Sequence, residues 1–226
     1  MNNSTGLTAE TFAFLADLEK NNSKEWFNEN RERYERDWLA PCSSFIEAVA
    51  PALAHLDPVH KAEAKVNKSI RRINRDVRFS ADKSPYDPKL HLVFWTGDHP
   101  NRSPALHLVV RSDHVGYGAG EWMWQPAKVD AFRKRLQDDA AQKTLINCLD
   151  GAAAYGCELP PAELKKLPKG LPADTDYEDL LKRKSLVVRT IRSPATPQSF
   201  YGQEGIDRFI EIATRLAPLN RWIGDL

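Results

Sequence analysis

The sequence predicts an α+β domain, a mostly antiparallel sheet flanked by N-terminal and C-terminal helices. Three observations carry this. Residues 8–56 repeat apolar side chains at spacings of three and four, the period of a helix buried on one face. Residues 90–124 alternate apolar and polar positions around turn residues, the period of paired strands. Residues 197–216 return to helical spacing. No internal repeat divides the chain, so residues 1–226 read as one domain.

The first helix is expected over residues 8–20, capped by Thr8, with Phe12, Leu15 and Leu18 on one face. Asn21-Asn22 breaks it and Ser23 caps a second helix bearing Trp26, Phe27, Asn30, Tyr34 and Trp38. A third begins or kinks at Pro41 and must bend at Pro51. Leu90, Leu92 and Phe94 alternate with His91, Val93 and Trp95, and Leu106, Leu108 and Val110 with His107, Val109 and Arg111. Ser112-Asp113-His114 then reads as a hairpin turn into a strand over 115–124. One or two helices follow over 126–149, and the proline-rich stretch 160–176 reads as an irregular crossing. A short helix over 178–184 ends in the basic run Lys182-Arg183-Lys184, expected to be a solvated helix end. Leu186 to Ile191 reads as a strand, and Pro197 as the start of the last long helix.

Composition narrows the function. The net charge is +1, with 28% charged and 42% hydrophobic residues. A general nucleic-acid coat would carry a clear basic excess. Basic charge is instead concentrated between residues 65 and 83, where seven Lys and Arg face only Asp76 and Asp82. Three cysteines without a C-x-x-C pair suit a reducing, cytoplasmic compartment with buried thiols. The N-terminus has no secretory pattern, and no run approaches the ~20 apolar residues of a membrane span. No membrane partner is expected.

Residues 71–86 hold the densest chemistry: four arginines, two aspartates and a lysine fall within thirteen positions. Val66, Ile70, Ile73 and Val77 lie at helical spacing, which favours a helix followed by a loop and groups Arg71, Arg75 and Arg78. A strand would group Arg72, Asn74, Asp76 and Arg78. Arginine forks suit phosphate or carboxylate. The same density also suits an internal ion-pair brace. A carboxylate flanked by guanidiniums, as Asp76 is, should be acidified and ionised at neutral pH.

Arg72-x-x-Arg75-Asp76-x-Arg78-Phe79, then Asp82-Lys83-x-x-Tyr86, resembles the signature of the bacterial domain of unknown function 2461 family. Phe14-Leu15, Leu18, Asn21-Asn22, Glu25-Trp26-Phe27, Asn30, Tyr34 and Glu35 are similar to its opening helices, and Gly118-x-Gly120-x-Trp122 to its central strand. Pro168-Lys169-Gly170 and Leu181-Lys182-x-Lys184-Ser185 are similar to its later landmarks. Thr175-Asp176 departs from the pattern, where a His-Pro pair is expected. The resemblance spans nearly the whole chain and implies a fold and a site location, but no activity.

Gly116, Gly118 and Gly120 would share one strand face, continued by Trp122 and Trp124, and clear a trough with an aromatic wall unless an aromatic such as Trp95 fills it. His91 and His107 share a polar sheet face with Trp95 and Arg111. No H-x-H or H-x-x-x-H pair supports a metal, and no cofactor is implied. A neutral histidine beside an anion can act as general acid or base. The expected ligand-binding set is therefore Arg72, Arg75, Asp76, Arg78, Asp82, Lys83, Tyr86, Gly118 and Trp122, holding a small phosphorylated or carboxylated ligand, with turnover left open. The alternatives are a nucleic-acid-associated module, using the basic patch with Trp122 or Trp124, and a structural or partner-binding domain with an internal Arg-Asp brace.

Overall fold

A computed structural model describes residues 5–173, 175–191 and 195–226. The N-terminal helices are α1 (Ala9–Lys20), α2 (Lys24–Glu29), the single turn α3 (Arg31–Arg33), a π-helical segment Tyr34–Leu39 and α4 (Ala40–Leu53). Ser23 caps α2 as expected, accepting from the Trp26 amide at 3.1 Å. The single second helix expected from the sequence is thus broken, with the π-helical segment leading into α4.

Strands β1 (Leu90–Trp95), β2 (Ala105–Val110) and β3 (Val115–Glu121) form an antiparallel meander. Helices α5 (Pro126–Arg135) and α6 (Asp139–Ala153) follow, then β4 (Cys157–Glu158), α7 (Glu178–Leu181), β5 (Leu186–Thr190), a 3-10 turn Pro197–Phe200 and α8 (Gly202–Gly224). Pro197 therefore opens the 3-10 turn, and the long helix starts at Gly202. The sheet order is β1-β2-β3-β5-β4, with every pair antiparallel. The crossing stretch 160–176 is irregular as expected, residue 174 lying outside the described residues. Among the described residues no helix is long and apolar enough to cross a membrane.

Period two decides the two faces of the sheet. Leu90, Leu92, Phe94, Leu106, Leu108, Val110, Tyr117, Ala119 and Val188 point into the main core. There α8 packs across β2 and β3, and Phe94 meets Phe209 at 5.2 Å between ring centroids. The other face carries His91, His107, Gly118, Gly120 and Arg189, and it borders a cavity.

Residues 66–78 are not helical, against the expectation from their spacing. Of the four apolar residues at that spacing, only Ile70 and Ile73 are buried, while Val66 is 42% exposed. Tertiary hydrogen bonds take the backbone instead. The Val93 amide donates to the Ser69 carbonyl (2.9 Å), the Arg71 amide to the His91 carbonyl (3.0 Å), and Ile70 pairs opposite Leu92. Residues 69–71 thus act as an extra edge along β1.

The basic run near α7 is also corrected. Arg183 is buried, and donates to the Pro160 carbonyl (2.7 Å) and to Asp179 (2.5 Å). It ties the crossing segment to α7 and is not a solvated helix end.

Candidate functional site

The open sheet face floors a cavity of about 630 Å³. Its cations arise from the same alternation that builds the core. Arg71 follows buried Ile70, Lys89 precedes buried Leu90, Arg111 follows buried Val110 and Arg189 follows buried Val188. Each therefore turns to the face opposite the core, and all four line the cavity.

Two walls face each other across the strands. On the β1 side, Arg71 donates to the side-chain oxygen of Asn101 and to the Pro100 carbonyl at 3.0 Å, which ties it to the β1–β2 connection. Burial leaves this guanidinium partly desolvated. On the β5 side, Arg189 lies over the Trp122 ring, 5.7 Å from its centroid. Between them, His107 pairs opposite Gly118, and Gly118 opposite Arg189. Gly118 lines the cavity floor between the histidine and the arginine.

His91 Nε2 and His107 Nδ1 are 3.1 Å apart. One nitrogen must donate and the other accept, so a neutral pair satisfies the bond. Burial first, then the neighbouring histidine and Arg71, push His91 down to about 2. Burial, with Arg71, pushes His107 to about 4. Both are neutral at pH 7. Glu121 is the only carboxylate on the cavity wall among the described residues, and Lys128 holds it at 2.7 Å. Lys89 is paired with Asp87 at 2.7 Å. Arg111 and Arg189 have no carboxylate within 4.0 Å among the described residues.

Of the residues expected from the sequence, the cavity gathers Gly118 and Trp122. Arg72, Arg75, Asp76, Arg78, Asp82, Lys83 and Tyr86 do not line it. Arg75 bonds Asp82, and Arg78 bonds Asp76 through Nη2 at 2.7 Å. That bond lowers the pKa of Asp76, as expected, so it is ionised at neutral pH. Lys83 donates to the Val77 carbonyl at 3.0 Å. Tyr86 is buried and stacks on Phe27, with centroids 4.1 Å apart. The signature arginines therefore do not converge on this concavity; their neighbour Arg71 enters it instead.

The trough also differs from expectation. Trp95 does not fill it: Trp95 belongs to a separate small cluster with Val93 and Ala105, under Lys68. Trp122 stands exposed at the rim, whereas Trp124 is buried against Phe132. The glycines are required by the backbone of β5. A Cβ on Gly118 would sit 2.2 Å from the Val188 carbonyl oxygen, and one on Gly120 2.1 Å from that of Leu186.

Among the described residues no group of three His, Cys, Asp or Glu side chains is placed to hold a metal ion. Sequence reasoning missed Arg71 as a member distinct from its neighbours, and missed Lys89, Asn101 and Arg189. The signal available for Lys89 was a cation next to the first buried residue of an alternating strand, whereas Arg71, Asn101 and Arg189 reach the cavity only through tertiary pairing.

A search of curated proteins found no match. Residues 10–222 match the model of a family described as conserved hypothetical protein (DUF2461), and with nearly its whole length matched, the chain belongs to that family.

Proposed function

We propose that the open sheet face binds a small organic anion, a phosphate or carboxylate, whose apolar portion lies over the Gly118–Gly120 floor toward Trp122. One observation carries this reading. Arg111 and Arg189 face the cavity without a carboxylate partner among the described residues, while its single acidic wall residue, Glu121, is neutralised by Lys128. Cations left unpaired in a concavity favour an anionic guest, and Arg forks meet its oxygens bidentately. The neutral His91–His107 pair adds one ring N–H, left over from their mutual bond, that can donate to the anion.

The free thiols of Cys42, Cys148 and Cys157 support a reducing, cytoplasmic setting. One apolar cluster joining α1 to α8 and the sheet supports a single domain. The test is isothermal titration with inorganic phosphate, a sugar phosphate and a dicarboxylate at low salt. Binding should appear for at least one, and weaken about tenfold or more in Arg189→Gln or Arg111→Gln with the melting temperature unchanged. No heat with any probe, or equal affinity in both variants, overturns the reading.

A further inference from the structure

The signature stretch is not absorbed by the cavity, and its charges build something else. Arg75 bonds Asp82, the Ser84 carbonyl at 3.2 Å and the Ser80 hydroxyl at 3.4 Å. Asp82 in turn accepts from the Ser84 amide (2.9 Å) and hydroxyl (2.6 Å). Asp76 accepts from Arg78 Nε at 2.9 Å, and Lys83 closes onto the Val77 carbonyl. The base is a short ladder: the Arg75 amide donates to the Pro85 carbonyl (2.9 Å) and the Asp87 amide to the Ile73 carbonyl (2.8 Å). Residues 75–84 are thus a loop braced by its own ions.

At its apex Phe79 is 96% exposed. Phenylalanine so fully hydrated on a braced loop gains nothing for the fold. No large apolar side chain adjoins it in sequence: Arg78 precedes it and Ser80 follows, with Val77 and Ala81 one step further out. The Arg78 guanidinium lies 5.9 Å from its ring centroid. Arg72 and Lys83 are exposed, with no carboxylate within 4.0 Å among the described residues. A protein hot spot seats its aromatic among apolar neighbours that exclude water. Here the loop carries Arg75, Arg78 and Lys83 against Asp76 and Asp82, each carboxylate already paired with an arginine, so the charge left over is positive and complements a phosphate chain.

We propose that this loop binds single-stranded nucleic acid, with Phe79 stacking on a base and Arg72 and Lys83 following the phosphates. Stacking needs only one exposed ring face and tolerates any base. Pre-bracing the loop removes the ordering cost that a flexible aromatic would incur on binding. The chain's net charge of +1 restricts such binding to this patch, so affinity should be modest and steeply salt-dependent.

The test is fluorescence anisotropy of a labelled 12-nucleotide single strand at 50 mM salt, on the full chain. Phe79→Ala should weaken binding at least fivefold, and Phe79→Trp should restore it. The melting temperature should not move in either, because the ring is exposed, so a folding defect cannot mimic the result. Arg72→Gln with Lys83→Gln should flatten the salt dependence by about 1.4 in log–log slope, about 0.7 for each phosphate that is no longer neutralised. No binding by the wild-type chain, or equal binding by Phe79→Ala, overturns the proposal. So does Phe79-dependent binding to anionic phosphatidylserine vesicles without binding to the oligonucleotide.

Discussion

Asn22 closes both backbone hydrogen bonds of Tyr86. Its Nδ2 donates to the Tyr86 carbonyl at 2.9 Å, and its Oδ1 accepts from the Tyr86 amide at 3.1 Å. A side-chain amide here stands in for a strand partner, joining the α1–α2 turn to the exit of the signature loop. Phe27 stacks beneath Tyr86 and touches Tyr34, which stacks on Trp38. Asn22, Phe27, Tyr34 and Tyr86, all residues that carry the family resemblance, thus hold the base of one loop.

Asn22→Ala should therefore destabilise the fold by roughly 1–3 kcal/mol, since two part-buried backbone groups lose their partner. Asn22→Asp keeps the acceptor but loses the donor and should fall between wild type and alanine. Urea unfolding measures both. A change below a few tenths of a kcal/mol in Asn22→Ala would mean that water replaces the side chain without loss.

Glycine substitutions on β3 should act on stability first. Gly118→Ala and Gly120→Ala each drive a Cβ into β5 backbone, and Gly120 also has φ of +134°. Each should cost about 1–3 kcal/mol or more by overpacking. Gly151 in α6 has open space around its Cβ position, so Gly151→Ala should instead stabilise by about 0.5–1 kcal/mol. Thermal melts of the three variants would show opposite signs. Gly118→Val, which in an open trough would report ligand access, is expected to report strand separation.

Stability should fall as pH drops from about 6.5 toward 4. His107 and buried His60 are both held down to about 4 by burial, and His91 to about 2, from an unfolded value of 6.5. In that window the unfolded chain binds more protons than the folded one, so unfolding is favoured as pH falls. The loss between pH 7 and 5 should be on the order of 1 kcal/mol per histidine. His107→Gln should flatten the slope of urea-derived stability against pH without abolishing it, because His60 remains beside Asn220. An unchanged slope would show that the sheet-face histidines are already solvated in the folded protein.

Much of this arrangement was legible in the sequence and some was not. The alternation of leucine with histidine in β1 and β2 placed His91 and His107 on one face, because period two needs no knowledge of the partner strand. The glycine face of β3 followed by the same rule. Arg189 was not legible, since only tertiary structure sets β5 beside β3. Arg71 and Arg72 are chemically alike and adjacent, yet only Arg71 lines the cavity. The difference is the pairing of Ile70 with Leu92, which joins two segments and which periodicity within residues 66–78 cannot reveal. That periodicity pointed to a helix because local spacing says nothing of backbone bonds satisfied by β1.

The brace around Arg75 gives the last prediction. If its guanidinium orders the loop and does not grip a ligand, Arg75→Ala should loosen residues 75–84 while leaving the sheet and α8 unchanged. Chymotrypsin reads this directly, because it cleaves after aromatic residues and Phe79 is already exposed. Cutting at Phe79 is limited by how readily the loop adopts an extended conformation, so removing the bonds to Asp82, Ser80 and Ser84 should speed it several-fold. Asp82→Asn should speed it less, since Arg75 keeps its bonds to the Ser84 carbonyl and Ser80. Phosphate or dicarboxylate binding at the sheet face should survive both changes. Cleavage no faster in Arg75→Ala than in wild type would mean that the loop is held by the Pro85 and Asp87 ladder alone, leaving the guanidinium available for another role.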